Sequence, residues 1–192
     1  MRVMKPVLIL IFLSYTFSSF SFLSAEQNRP NILWLVVEDQ SKHYGFNGEN
    51  LVHTPVLDGL AANGVRFTNA SVTAPVCSTA RSALITGMFQ TSIGAHHHRS
   101  GRGDAKIQKP DHIKLIPELF KEAGYYTCLG SSGHAAGTIR GKQKNRFGKS
   151  DYNFEWDSKV FDSAEWSGRK KEQPFFAKIC LSGGKARSQA RA

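Results

Sequence analysis

The chain has 192 residues, 41% hydrophobic and 11% aromatic, which is enough to bury a core as one domain and too apolar for disorder throughout. Its formal charge of +10 falls to +8 without Arg2 and Lys5, a balance suited to an acidic partner. The basic residues cluster late, in RGKQKNRFGK and GRKKE, with no interleaved aromatics to stack bases, so no nucleic acid partner is expected; an anionic polysaccharide or a plain solvated basic face remains.

The elements follow in chain order. Residues 1–25, MRVMKPVLILIFLSYTFSSFSFLSA, carry Arg2 and Lys5, then an apolar run from Val7 to Phe22, then small residues up to Ala25. That is the layout of a secretory signal peptide. Serines and a threonine dilute the run below a comfortable span, so no stable membrane anchor is expected. The expectation is an exported, periplasmic or secreted protein whose domain occupies residues 26–192. NILWLVV (Asn31 to Val37) reads as a strand buried on both faces and ends directly in Glu38 and Asp39. TPVLDGLAANG reads as a helix, with Thr54 as N-cap, Pro55 in the first turn, Leu57, Leu60 and Ala61 on one face, and Gly64 past its end. VRFTNA reads as a short strand. A short helix begins just after Cys77 and stops near Gly87. IPELFKEAG gives a third helix, with Pro117 early and Gly124 as its stop, leading into the strand YYTCLG; PFFAKICLS is the last strand. Two long irregular stretches, residues 94–112 and 130–155, are rich in Gly, Lys, Arg and His, as functional loops are. The alternation predicts an α/β fold, a mostly parallel sheet flanked by helices.

The chemistry gathers at a few positions. Ligands of parallel α/β sheets sit at the carboxyl ends of strands, where Glu38 and Asp39 offer oxygen ligands to a hard cation such as Ca²⁺. Cys77 lies where the N–H groups of a starting helix favour an anion and lower a thiol pKa. Arg81, four residues on, shares that helical face and suits an oxyanion. The alternative is a small buried cysteine with a surface arginine. The three cysteines are Cys77, Cys128 and Cys180, an odd number for an oxidising compartment; a Cys128–Cys180 pair would leave Cys77 free. Among His96, His97 and His98, an extended backbone puts His96 and His98 on one face. No matching ligand pair points to a transition metal; substrate contact by His97 and His98 is the functional reading, a solvated loop the other. His43 and His134 have no assignment.

RPNILWLVVEDQ, HTPVLDGLAANGVRFTNASVTAPVCSTARSALITG and GYYT together resemble the N-terminal half of the sulfatase family, within the alkaline phosphatase superfamily. The likeness runs nearly unbroken from Arg29 to Gly87 and more loosely to Leu181. It implies that a maturation enzyme converts Cys77 to formylglycine. One hydroxyl of the hydrated aldehyde then attacks the sulfur of a sulfate ester, and the second helps expel sulfate. It implies a Ca²⁺ ion, with Mg²⁺ as the variant, held by Glu38, Asp39 and the residue derived from Cys77. Arg81 and Lys149 become catalytic residues, and Lys149 grips the sulfate. Sulfated carbohydrate is the implied substrate class.

Three departures stand beside the likeness. Thr79 occupies the position where the maturation motif usually has proline, and Ala80 replaces a common serine. In GKSDYNF, Lys149 matches the family's lysine while Asp151 stands where histidine is customary. The family pattern also continues well beyond residue 192, so the chain reads as an incomplete copy with little activity alone, lacking the second pair of metal ligands. A phosphatase or phosphonate hydrolase of the same superfamily, and a non-catalytic module for anionic glycans, are the alternatives.

Overall fold

In the computed structural model, which describes residues 29–100, 103–104, 107–131 and 147–181, three parallel strands form the centre. The expected signal peptide, His134 and the segment after Leu181 lie outside the described residues. The strands are β1 (Ile32–Val37), β2 (Tyr126–Ser131) and β3 (Phe175–Leu181), in the order β1-β3-β2. The last strand in sequence is thus the middle one. Ile32 pairs with Phe176 and Val37 with Leu181 on one side, while Tyr126 pairs with Phe175 and Ser131 with Cys180 on the other. The near-continuous apolar run FFAKICL suits this place, since a central parallel strand is covered on both faces, and β3 is buried from Phe176 to Cys180.

Three helices accompany the sheet: α1 (Pro55–Asn63), α2 (Cys77–Thr86) and α3 (Ile116–Glu122). Their ends follow the residues expected of them. Pro55 and Pro117 occupy first turns, and Gly87 closes α2 in the left-handed region at φ 66°. Glu118 folds back to accept from the Leu115 amide at 2.5 Å, and Lys121 pairs with Asp162 at 2.6 Å, which ties α3 to the segment beyond β2.

One face of the sheet packs against Ile85 of α2, Leu115, Tyr152, Phe154 and Phe161. The other holds Cys128, Ala177 and Ile179, with Trp166 and Phe175 packed on them. The second long irregular stretch therefore supplies core: Tyr152, Asn153 and Phe154 are all buried.

Three expectations are corrected, and the Cys128–Cys180 pairing that the sequence left open is decided. VRFTNA forms no strand; no described strand runs beside it to complete a ladder, Val65 and Phe67 face solvent, and Arg66 turns back onto the Phe46 ring. β1 is not covered on both faces, because no described element lies over Leu33, Leu35 and Val37, which stay exposed. No residue of α1 is buried: the helix packs on the 3-10 turn Gly45–Asn47, with the Thr54 hydroxyl accepting from the Gly45 amide at 2.9 Å rather than capping α1. Cys128 and Cys180 do not pair. Cys128 sits opposite Ala177, three residues from Cys180, and an odd step along a strand turns the two thiols to opposite faces.

Lys178 is the unusual member of the core. It is fully buried in β3, its Nζ 3.1 Å from the Tyr152 hydroxyl and 4.9 Å over that ring, and no carboxylate among the described residues pairs with it. Burial pushes its ammonium group down to about 8, and the Arg81 charge works in the same direction. The unfolded chain then binds the extra proton between about pH 8 and the ordinary lysine value near 10.5, so stability rises with pH across that window and is lost as pH falls through it. Denaturant melts of the wild type should show this rise, and Lys178→Met should flatten it. An unchanged slope in Lys178→Met would assign the pH dependence elsewhere.

Candidate active site

The site forms where β1 ends. The Glu38 amide continues the ladder onto the Leu181 carbonyl at 3.2 Å, so Glu38 is still held by the sheet. Adjacent side chains on a strand point apart. Asp39 escapes that rule because its backbone turns into the left-handed region at φ 50°, a conformation aspartate tolerates better than most residues. The turn brings both carboxylates toward one neighbour. Ligand atoms of Glu38, Asp39 and Cys77 all lie within 4.8 Å of one another, and the Cys77 thiol points at Asp39 Oδ1 at 3.8 Å.

Cys77 is the first residue of α2, after an extended Val76, and is partly exposed. Its place at a helix start puts it over unpaired N–H groups. Arg81 follows one turn later and is buried to 4% exposure. Its guanidinium reaches the Glu38 carboxylate at 3.8 Å, the Cys180 sulfur at 3.2 Å and the Lys149 carbonyl at 3.4 Å. The Lys149 ammonium makes a short contact with Glu38 and pairs with Asp151 at 3.2 Å. Lys149, well beyond β2 in sequence, thus joins Cys77, Arg81, Glu38 and Asp39.

The charges explain one another. Burial works to raise the Glu38 carboxyl, but Lys149, the Cys77 thiol and Arg81 hold it below the usual carboxylate range. Burial likewise works against the Lys149 ammonium, and Glu38 with Asp151 more than offsets it, so that group titrates above an ordinary lysine. By contrast, the Cys128 thiol is pushed up to about 12 by burial, which makes it an inert core residue. A cleft of about 770 Å³ opens beside the cluster, walled by Glu38, Asp39, Cys77 and Arg81 together with Trp34 and Leu84.

The histidines divide. His98 reaches the start of α2, its Nδ1 2.8 Å from the Ser78 hydroxyl. The His97 ring lies against His96, with centroids 4.4 Å apart, so the two neighbours do not point to opposite faces as an extended segment would require. The turn at residues 97–99 is the reason. His97 enters the site through its carbonyl, which accepts from Asn153 Nδ2 at 2.7 Å.

Asn153 is the residue that pattern reading passed over. It is fully buried and ties three segments together: Nδ2 donates to the carbonyls of Ala95 and His97, and its amide donates to Ser82 of α2 at 2.9 Å. One signal was available, since an asparagine between Tyr152 and Phe154 in an aromatic run must find buried partners.

Known proteins share this arrangement of elements. The Sulfatase family model matches residues 30–187. An ulvan-active sulfatase of Formosa agariphila is 34% identical over 160 residues, covering 78% of this chain and 24% of the relative. The human N-acetylgalactosamine-6-sulfatase is 37% identical over 112 residues, covering 55% and 22%. Among solved structures, Ps i-CgsB in complex with k-i-k-neocarrahexaose superposes with a TM-score of 0.58 at 23% identity, over 85% of this chain and 47% of that one. BT4656 in complex with its substrate D-glucosamine-2-N,6-O-disulfate gives a TM-score of 0.58 at 18% identity, over 83% and 35%. The chain spans about a quarter of the length of the curated relatives it matches. These likenesses show the fold as the α/β fold of sulfatases, with a parallel sheet as expected from the alternation of elements. The chain belongs to the sulfatase family.

Proposed function

We propose that this chain carries the nucleophile half of a sulfuric ester hydrolase acting on sulfated carbohydrate. The observation that carries the reading is the convergence of Glu38, Asp39 and Cys77 within 4.8 Å, with Arg81 and Lys149 both on Glu38. Family membership and the sulfated sugar bound as substrate by BT4656 support the substrate class.

The donor set fits a hard divalent cation. Two carboxylates at a strand end suit Ca²⁺, which takes roughly six to eight oxygens, and Mg²⁺ as the smaller variant. Glu38, Asp39 and the side chain derived from Cys77 would hold the ion, which when bound supplies Lewis-acid polarisation of sulfate oxygens.

Cys77, converted to formylglycine by a maturation enzyme, supplies a hydrated aldehyde as nucleophile. The start of α2 aims its N–H groups at the arriving sulfate. Arg81 cannot swing away, being buried among Glu38, Cys180 and the Lys149 carbonyl, so its charge is preorganised. Lys149 exchanges part of its contact with Glu38 for a sulfate oxygen. Thr79, in the usual proline position, bonds its hydroxyl to the Val76 carbonyl at 2.8 Å and so stiffens the same turn that proline would. His98, fixed on Ser78, and the neighbouring His97 border the entrance as substrate contacts. Residues 1–25 act as the export signal that sends the chain to the periplasm or beyond; no helix among the described residues is long and apolar enough to cross a membrane.

Co-expression with a maturation enzyme should give a tryptic peptide with the mass loss of thiol-to-aldehyde conversion at Cys77, together with weak but calcium-dependent turnover of an aryl sulfate, weak because Glu38 and Asp39 are only the first pair of the expected metal ligands, and still above turnover of the matching aryl phosphate. Cys77→Ala should reduce that turnover to background, and an unmodified thiol, or turnover surviving Cys77→Ala, would remove this reading. Lys149→Ala should lower kcat about 10²–10³-fold, the usual worth of one preorganised group. Calcium at about ten times its dissociation constant should stabilise the fold by about 1.4 kcal/mol in thermal melts, and Glu38→Gln should abolish most of that gain.

A further inference from the structure

Next to the nucleophile's helix lies a recess of about 200 Å³, lined by Ser78, Arg99, Asp151, Tyr152, Asn153 and Trp156. Ser78 follows Cys77 directly in α2, so one wall of the recess is the chain neighbour of the proposed nucleophile. It shares Asp151 with the charged cluster.

The wall that carries Arg99 is built rather than incidental. Ser78 Oγ contacts His98 Nδ1 at 2.8 Å and accepts from the Arg99 amide at 2.9 Å. Asn153 holds the carbonyls of Ala95 and His97 from beneath at 2.9 and 2.7 Å. These bonds fix Arg99 in a left-handed backbone conformation, φ 62°, which is uncommon for a long side chain. Arg99 is exposed and forms no ion pair with a carboxylate among the described residues, whereas Asp151 in the same recess is paired with Lys149 at 3.2 Å. Asn153 Oδ1, buried beside the recess, has no hydrogen-bond partner among the described residues, a deficit that an entering hydroxyl relieves. Trp156 closes the recess, edge-on to Tyr152 with ring centroids 5.0 Å apart.

A guanidinium carried on a fixed backbone, without a carboxylate partner among the described residues and at the lip of a polar recess, recognises planar or tetrahedral oxyanions through two parallel N–H bonds. The scissile sulfate already has Arg81 and Lys149. We infer that Arg99 reads a second oxyanion, a further sulfate or a carboxylate, on the saccharide that carries the scissile group, and that this recess is a specificity subsite for doubly charged sugars. The inference rests on the sulfate-ester reading for its substrate class.

The experiment is calorimetric binding to the chain carrying Cys77→Ala, so that no turnover intervenes. Glucosamine 2-N,6-O-disulfate is compared with glucosamine 6-O-sulfate, and a monosulfated disaccharide ending in a uronate with its uncharged methyl ester. The expected result is about tenfold to a hundredfold tighter binding of the doubly charged member of at least one pair, the range of a charge-assisted bond, with the pair affected identifying sulfate or carboxylate as the source. Adding Arg99→Gln should bring that preference to within about twofold while thermal midpoints stay unchanged, and higher salt should erode it in the Arg99 protein alone. A preference that survives Arg99→Gln, an equal loss for both members of a pair, or no binding of any probe would overturn the inference. Failure of the sulfatase reading shows separately, as absent Cys77-dependent turnover of aryl sulfate, and leaves the binding comparison intact.

Discussion

The Glu38 carboxylate is the point on which the candidate site depends. It stands at the end of a strand that the sheet holds in register, and two cations from separate segments meet it: Arg81 from α2 and Lys149 from the stretch leading away from β2. A buried guanidinium without a counter-charge is costly, and the other partners of Arg81 among the described residues are a sulfur and a carbonyl oxygen. Glu38 therefore sets the position of Arg81 as well as its own. Asp151 in turn gives Lys149 its second carboxylate contact, at 3.2 Å.

The helix that begins with Cys77 also organises what surrounds it. Most short surface helices bury an apolar stripe. α2 instead buries Ser78, Thr79, Arg81, Ser82 and Thr86 along with Ala83 and Ile85. Its buried hydroxyls are all engaged. Ser78 holds His98 and Arg99, Ser82 accepts the Asn153 amide, and Thr79 and Thr86 bond back to backbone carbonyls a turn earlier. Because a buried polar group must be paired, this face accepts only the segments that bring complementary donors and acceptors. The first residue of α2 does the chemistry in the proposed reaction, and the next turn decides which loops stand around it.

The sheet beneath is permissive in one direction and restrictive in another. Its central strand tolerates Lys178 with Tyr152 as its hydrogen-bond partner, and burial brings the loss of the ammonium proton down to about 8. Arg81 lies near enough to press the same way, and the two lysines of this region shift in opposite directions: burial lowers Lys178, whereas Glu38 and Asp151 raise Lys149 despite its burial.

The pattern of residues alone determined the α/β alternation, the three strands ILWLVV, YTCLGS and FFAKICL, the three helices with their prolines and Gly87, and the resemblance carried by the Cys77–Arg81 spacing and the acid pair. Those features are local: apolar runs, turn residues and one helical turn are legible without knowing what they touch. The tertiary structure decided what distance in sequence hides. It made the last strand the central one, sent Cys128 and Cys180 to opposite faces, and left VRFTNA without a ladder. It brought Lys149 across more than a hundred residues to Glu38, which a match of short motifs suggested but could not place. It also made a core of the irregular run around Tyr152 and Phe154, and gave Asn153 and Arg99 their positions. Burial and hydrogen-bond pairing are properties of the packed chain, so a residue such as Asn153 acquires its role only when three segments close around it.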